Sequence, residues 1–208
     1  MSVRIDDEAK TISLSVRDLA ADETLSGSIS AEAMPAARAA LGREAHAAHQ
    51  EACAAADATY QGEYTLRHTF PFEEWTVTVQ GRLDGLYVSS DTYVVEEVKS
   101  VHSIERALEQ LGAGAYRSWT LQLRIYTLFL ARESGRATDG YLVLAEVRGG
   151  ATERVPVDLN EDELEAAIAA RLRAIIAEHE ERREWRERLA TLSTEVPVSY
   201  THLRAHET

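Results

Sequence analysis

The feature that most restricts how this 208-residue chain can fold is the run 93–100, Tyr-Val-Val-Glu-Glu-Val-Lys-Ser. Its tyrosine and valines favour a β-strand, and apolar residues that occupy both faces of a strand are typical of one buried on both sides. Glu97 and Lys99 are two residues apart, so a strand presents both side chains on the same face. The run therefore predicts a strand inside a sheet that carries a carboxylate beside an ammonium group.

Lysine is otherwise almost absent from the chain. Of 22 basic residues only Lys10 and Lys99 are lysines, and the others are arginines. Lysine is a compact point charge whose pKa shifts on burial, whereas arginine is a planar group that stays charged. Lys10 lies in the polar turn 6–10 and needs no special explanation, but Lys99 in an apolar strand indicates a specific role for the ammonium group.

The order of predicted elements indicates the fold class. Residues 17–28 read as a loop, and Ser30, Ser103 and Asn160 are expected to cap helices. Strands are expected at 3–5, 11–16, 63–69, 75–87, 93–100, 141–147 and 153–159. Helices are expected at 30–59, 103–111, 118–133 and 161–191. This order predicts an α/β fold with a mixed sheet flanked by helices.

Length and composition predict one domain over residues 1–192. The chain is 45% hydrophobic, which suffices for a single sizeable core. Residues 193–208 continue no pattern, so we expect a truncated or non-native tail and a longer natural protein. The sequence contains no apolar stretch of the length that a membrane span requires, and no secretory signal begins it.

Cysteine content and charge exclude several classes of site. Cys53 is the single cysteine, which excludes internal disulfides, cysteine-based zinc sites and a four-cysteine iron–sulfur cluster, and which fits a cytoplasmic location. The net charge of −13 argues against a general electrostatic attraction for nucleic acid, although it is compatible with a local basic groove.

Two carboxylates are expected to meet near Lys99. Twelve residues separate Asp84 from Glu97, which is enough for a hairpin that brings them together across adjacent strands. Carboxylate oxygens suit Mg²⁺ or Mn²⁺, which lower the pKa of bound water and take phosphate oxygens. Lys99 would then position or deprotonate the attacking water, or stabilise the transition state. The competing interpretation is a solvated ion pair on a strand and an aspartate in a turn.

Helical residues add further candidates. Gln122 and Tyr126 are four apart and share a helix face, although an amphipathic helix edge would give the same pattern. His46 and His49 compete for one role on the early helix, with Glu44 as a third candidate. A histidine on a helix more often has a structural role than a ligand role.

Four motifs in this order make the sequence resemble the RecB-like branch of the PD-(D/E)xK nuclease superfamily. They are GxxxH at 42–46, GxxD at 81–84, ExK at 97–99 and QxxxY at 122–126. The resemblance covers roughly residues 40–130. It implies a restriction-endonuclease-like core, with a central mixed β-sheet flanked by helices, and metal-dependent hydrolysis of DNA phosphodiester bonds.

The resemblance also implies a role for each motif residue. It implies metal ligation of Mg²⁺ or Mn²⁺ by His46, Asp84 and Glu97, and action of Lys99 on the water and the scissile phosphate. Gln122 and Tyr126 would organise the site and contact the DNA backbone. The family's proline before the aspartate is replaced by Leu83, which is common in this branch. The iron–sulfur cluster of some relatives is excluded by the single cysteine.

The function expected from this reasoning is a DNA exonuclease or endonuclease in repair or recombination. We expect DNA as partner, a helicase domain or subunit as a further partner, and no membrane. Arg82, Arg117 and Arg124 are candidate phosphate contacts, and Trp119 is a candidate for stacking on an unpaired base.

Two alternatives remain at this point. One is a catalytically silent member of the same fold that binds DNA or acts as a scaffold. The other is an acidic interaction domain whose docking surface is helix 161–191, where the spacing 164, 168, 172, 175 and 176 forms an apolar stripe. The nuclease interpretation requires Asp84, Glu97 and Lys99 in one metal-sized cluster, faced by Gln122 and His46.

Overall fold

A computed structural model describes residues 3–21 and 36–195 of the chain. The strands are β1 (Arg4–Asp6), β2 (Thr11–Ser15), β3 (Tyr60–Phe72), β4 (Trp75–Val88), β5 (Thr92–Val101), β6 (Ala137–Glu146) and β7 (Thr152–Pro156). The helices are α1 (Val16–Leu19), α2 (Ala36–Ala56), α3 (Ile104–Gly112), α4 (Arg117–Ser134) and α5 (Glu161–Glu195).

The strands form one mixed sheet of seven, in the order β1-β2-β4-β5-β6-β7, with β3 paired to β4. The pairs β2–β4 and β5–β6 are parallel, and the remaining pairs are antiparallel. Central strand β5 is buried on both faces, since Val95, Glu96, Glu97 and Val98 are all buried. The predicted α/β class with a mixed sheet is therefore confirmed.

Strand β4 changes partners along one of its edges. On one edge it pairs with β3 from Trp75 to Tyr87. On the other edge it pairs with β2 as far as Gln80 and with β5 only from Gly85 onward. In the described sheet, residues 81–84 thus have no strand partner on that second edge, and we call this interruption the β4–β5 opening.

Helices α2 and α4 lie against opposite faces of β5. Ala45 of α2 packs on the cluster that contains Val98, while Gln122 of α4 contacts Lys99. Because neighbouring residues of a strand point to opposite faces, the even-numbered side chains of β5 face α2 and Lys99 faces α4. The β4–β5 opening is accessible to side chains from both helices.

Two predicted segments differ from the structure in informative ways. Residue 16, the predicted end of a strand, and residues 17–19, a predicted loop, instead form a helical turn with a capping box between Ser15 and Asp18. Strand β3 is longer than 63–69 because it pairs with β4 over its whole length. It tolerates Pro71 because, among the described strands, it pairs with β4 alone.

Helix boundaries agree closely elsewhere. Ser103 and Asn160 accept hydrogen bonds from the backbone N–H groups of Arg106 and Glu163, which confirms both predicted caps. Helix α2 ends at Ala56, and Asp57 accepts the N–H of Thr59. The expected cap Ser30 lies outside the described residues, as do residues 196–208 of the expected tail.

The chain divides into two compact units, Met1–Ala169 and Ala170–Thr208. The first contains the whole sheet and helices α1 to α4. The apolar stripe of α5 is buried at Leu164, Ile168, Leu172 and Ile175. Among the described helices, none has the length and hydropathy needed to cross a membrane.

Candidate active site at the β4–β5 opening

Asp84 closes the opening with its side chain. The last β4–β5 pair on this side is Gly85 with Glu96, so Asp84 and Glu97 are neighbours at the point where the ladder stops. The Asp84 carboxylate oxygen Oδ2 accepts the N–H of Val98 at 2.8 Å, which replaces the missing ladder bond. The structure thus brings Asp84 and Glu97 to neighbouring positions of adjacent strands, where the Asp84 charge acts on Glu97.

The backbone of Asp84 is also held from the other side. Gln50 donates from Nε2 to the Asp84 carbonyl oxygen at 2.8 Å, and the Tyr60 hydroxyl donates to the same oxygen at 3.4 Å. Sequence reasoning missed both residues. Gln50 follows His46 by four positions on α2 and so shares its helix face, which was the available signal.

Glu97 and Lys99 form a close pair at the centre of the site. Lys99 Nζ donates to Glu97 Oε1 at 2.7 Å and to Gln122 Oε1 at 3.4 Å. Glu97 is 3% exposed, and burial raises its pKa to about 7, against the opposing effect of the Lys99 charge. Among the described residues no donor reaches its other oxygen, Oε2. Glu97 therefore has a buried oxygen available for a ligand.

The structure separates the two candidate histidines. His46 Nδ1 lies 3.9 Å from Asp84 Oδ2, while His49 Nε2 contacts Glu96 on the α2 face of β5. Burial lowers the pKa of His46, although the Asp84 charge opposes this effect, so its imidazole is neutral at physiological pH. Glu44 is exposed. His46 is thus the histidine that the fold places at the opening.

Tyr126 braces the unpaired part of β4. Its hydroxyl donates to the Arg82 carbonyl oxygen at 3.2 Å, and burial raises its pKa to about 12, so it remains a donor. Its ring occupies the space over Gly81, where an added Cβ would lie 2.5 Å from the hydroxyl oxygen. The glycine of GxxD and the tyrosine of QxxxY are therefore packed against each other, and both Gln122 and Tyr126 are buried as their shared face predicts.

The donors at the opening fit a divalent ion of the magnesium type. Two carboxylates, one with a free buried oxygen, and a neutral imidazole are ligands that such ions accept. Within the described chain, the donor atoms of His46, Asp84 and Glu97 are not all within 4.8 Å of one another. An ion would bind a subset of them and keep several waters, as Mg²⁺ does.

The three arginines predicted to contact phosphate differ in their surroundings. Arg117 is exposed at the start of α4. Arg82 pairs with Glu63 at 3.4 Å on the surface. Arg124 donates from Nε to the Asp158 carbonyl oxygen at 2.9 Å. It follows Gln122 by two positions and so points away from the Gln122–Tyr126 face, and the structure does not bring it to the cluster.

An aromatic pair borders the site. Trp119 stacks on Tyr116 with ring centroids 3.8 Å apart and planes 4° from parallel, and Lys99 Nζ lies 5.9 Å from the Trp119 ring centre. Both rings are half-buried. The stack leaves an aromatic edge beside the lysine, which suits contact with a base or sugar.

Two solved structures resemble this chain at low sequence identity. Among solved structures, SSO0001 matches with a TM-score of 0.53 and 17% identity over 82% of this chain and 79% of that one. A protein of Eubacterium rectale, provisionally described as an exonuclease, matches with a TM-score of 0.40 and 12% identity over 63% of this chain and 52% of its own. The first likeness shows a shared fold, and the second supports no further argument. No curated protein matches.

The family is shown by a family model that matches nearly the whole sequence. The model of the PD-(D/E)XK nuclease superfamily matches residues 6–205. This range includes all four motifs and every residue placed at the β4–β5 opening. The chain therefore belongs to the PD-(D/E)XK nuclease superfamily.

Proposed function

We propose that this protein is a metal-dependent deoxyribonuclease of the RecB-like branch that hydrolyses phosphodiester bonds at the β4–β5 opening. The observation that carries the proposal is the buried Glu97 carboxylate, which pairs with Lys99 through one oxygen and has its other oxygen free among the described residues. Burying an ionised carboxylate costs desolvation free energy, and a cation bound at the free oxygen would offset that cost.

Each residue has a role that its position supports. The ligands of the ion would come from Asp84, Glu97 and His46, and a bound Mg²⁺ or Mn²⁺ would acidify a water and neutralise phosphate charge. Lys99 orients the water and stabilises negative charge on the scissile phosphate. Gln122 fixes the ammonium group through its 3.4 Å contact, and Tyr126 holds the β4 backbone that carries Asp84.

Substrate would approach along the start of α4. Arg117 and the Tyr116–Trp119 stack lie on that side and offer a cation and an aromatic edge to a DNA strand. Arg82 would contact phosphate by exchanging its surface pairing with Glu63. Because the chain carries a net charge of −13, we propose that a helicase domain or subunit delivers the DNA, in repair or recombination.

The test is cleavage of end-labelled single- and double-stranded DNA with Mg²⁺, Mn²⁺ or a chelator. We expect cleavage with either ion, none with the chelator, and a loss of at least 100-fold in Asp84→Asn. Asp91→Asn is the matched control, since Asp91 lies in an exposed turn. Equal activity in both variants would contradict the proposed site, while DNA binding without cleavage under every condition would favour the catalytically silent member of the fold.

A further inference from the structure

A second group of metal-binding side chains lies on the face of β5 opposite Lys99. His49 and Cys53 of α2 meet Glu96 of β5, and we call these three residues the α2–β5 triad. Their ligand atoms all lie within 4.8 Å of one another, which holds for no other such group in the described part of the chain. None of the three belongs to the proposed nuclease site.

We propose that the α2–β5 triad binds one zinc-type ion through His49 Nε2, Cys53 Sγ and Glu96 Oε2. This proposal departs from the expectation that a single cysteine excludes a zinc site, because a histidine and a carboxylate supply the other two protein ligands. His49 Nε2 lies 3.0 Å from Glu96 Oε2 and 3.4 Å from Cys53 Sγ. Ligands of a tetrahedral Zn²⁺ at standard bond lengths are separated by about 3.3 Å for nitrogen and oxygen and about 3.5 Å for nitrogen and sulfur. The observed separations are within a few tenths of an ångström of these values.

The chain holds the three donors from two rigid elements. His49 and Cys53 are four residues apart on α2, so they share one helix face. Glu96 is fully buried on β5. Cys53 is half-buried, which leaves a path for an ion from solvent. All three ligands therefore come from a helix or a central strand, and none comes from a loop.

The two oxygens of Glu96 face different partners. Arg154 Nε lies 2.8 Å from the other oxygen, Oε1, in an ion pair without hydrogen-bond alignment. This pairing occupies Oε1 and leaves Oε2 turned toward His49. With the Cys53 thiol deprotonated, the thiolate, the carboxylate and Arg154 together carry a charge of about −1, which a bound divalent ion would change to about +1.

The ligands of the α2–β5 triad favour a different kind of ion from those of the nuclease site. Thiolate and imidazole select zinc and related ions, whereas Mg²⁺ prefers oxygen ligands and waters. The bound ion would link α2 to β5, the elements that position His46 and Glu97. Its role is therefore to brace the wall of the nuclease site, and its existence does not depend on nuclease activity.

The test uses Co²⁺ as a spectroscopic substitute for Zn²⁺, in excess Mg²⁺. Because Cys53 is the single cysteine of the chain, a thiolate-to-cobalt charge-transfer band can arise from this site only. We expect one equivalent of Co²⁺ with that band, displacement by Zn²⁺, and at least tenfold weaker Zn²⁺ binding in Cys53→Ser and in His49→Ala. Asp84→Asn should retain the band, since it alters the nuclease site.

The melting temperature provides a second measurement of Zn²⁺ binding that needs no spectroscopic band. Zn²⁺ should raise the melting temperature of the wild type and leave that of Cys53→Ser unchanged, with circular dichroism confirming that the variant is folded. Absence of the charge-transfer band in the wild type, or equal Zn²⁺ affinity in Cys53→Ser, would overturn the proposal and leave His49–Glu96–Arg154 as an ion-pair network only.

Discussion

At the residue scale, the two lysines of the chain form a natural comparison. Lys99 is mostly buried and bonded to Glu97, while Lys10 pairs with Glu74 at 3.1 Å on the surface. We predict that Lys99→Ala lowers cleavage by at least 100-fold, and that Lys99→Arg also fails because the larger planar group does not fit the Glu97–Gln122 contact. Initial rates with labelled DNA measure both, beside Lys10→Ala. A comparable loss in Lys10→Ala would refute a specific role for Lys99.

Glu97 gives a prediction about pH in the metal-free protein. Burial raises its pKa from 4.5 to about 7, so the folded state holds a proton that the unfolded state releases above about pH 4.5. The stability from this proton is complete below pH 4.5 and is lost as the pH rises through about 7.

Glu97→Gln should remove this dependence. With chelator present, we predict that the free energy of unfolding of the variant exceeds that of the wild type by on the order of 1 to 3 kcal/mol at pH 8. This difference should shrink toward pH 5, where Glu97 of the wild type is protonated. Urea denaturation at the two pH values measures it, with exposed Glu74→Gln as control. A gap that does not change with pH would argue that the Glu97 proton is not the cause.

Gln50 allows a test of positioning rather than chemistry. Gln50→Ala removes the 2.8 Å bond to the Asp84 carbonyl oxygen, so Asp84 should be less well held for the ion. We predict a several-fold higher Mg²⁺ requirement with partial recovery of rate at saturating Mg²⁺, measured by Mg²⁺ titration of cleavage. Exposed Glu51→Ala is the control. A loss of rate at saturating Mg²⁺ with an unchanged Mg²⁺ requirement would count against a positioning role.

At the element scale, the site exists because β4 leaves β2 before it joins β5. The interruption lies at residues 81–84, and Tyr126 fills the space over Gly81. We predict that Gly81→Ala lowers the free energy of unfolding by about 1 to 3 kcal/mol, because the new methyl group would overlap a buried ring. It should also reduce cleavage, since Asp84 follows on the same strand.

Gly112→Ala is the matched control for that substitution. Gly112 ends α3, and no described atom lies within 4 Å of its added Cβ, so alanine should be neutral or slightly stabilising there. Denaturant unfolding compares the two variants. Equal stabilities would show that Tyr126 moves aside readily and does not brace β4.

At the scale of the whole molecule, the net charge of −13 should govern how DNA affinity responds to salt. Few basic side chains surround the opening, so we predict a log–log slope of magnitude about 3 or less for binding of single-stranded DNA by Asp84→Asn in chelator. Fluorescence anisotropy at several KCl concentrations measures the slope. Adding Arg117→Ala should reduce it by about one, while adding Arg124→Ala should not, because Arg124 is bonded to Asp158. A steep slope would indicate a basic surface that the described residues do not show.

The sequence by itself determined what depends on local geometry. Strand and helix periodicity placed Glu97 beside Lys99 and Gln122 above Tyr126, since spacings of two and four fix a shared face whatever the rest of the chain does. Local signatures also predict the caps at Ser103 and Asn160, and the Ser15–Asp18 capping box is a local signature of the same kind.

Only the tertiary structure decided what depends on register and burial. The change of partners along β4, the choice of His46 over His49, the bond from Gln50 to Asp84 and the raised pKa of Glu97 all join segments far apart in the chain. No local pattern encodes the distance between such segments or the water that folding removes from between them, and these two quantities set the geometry and the electrostatics of the site.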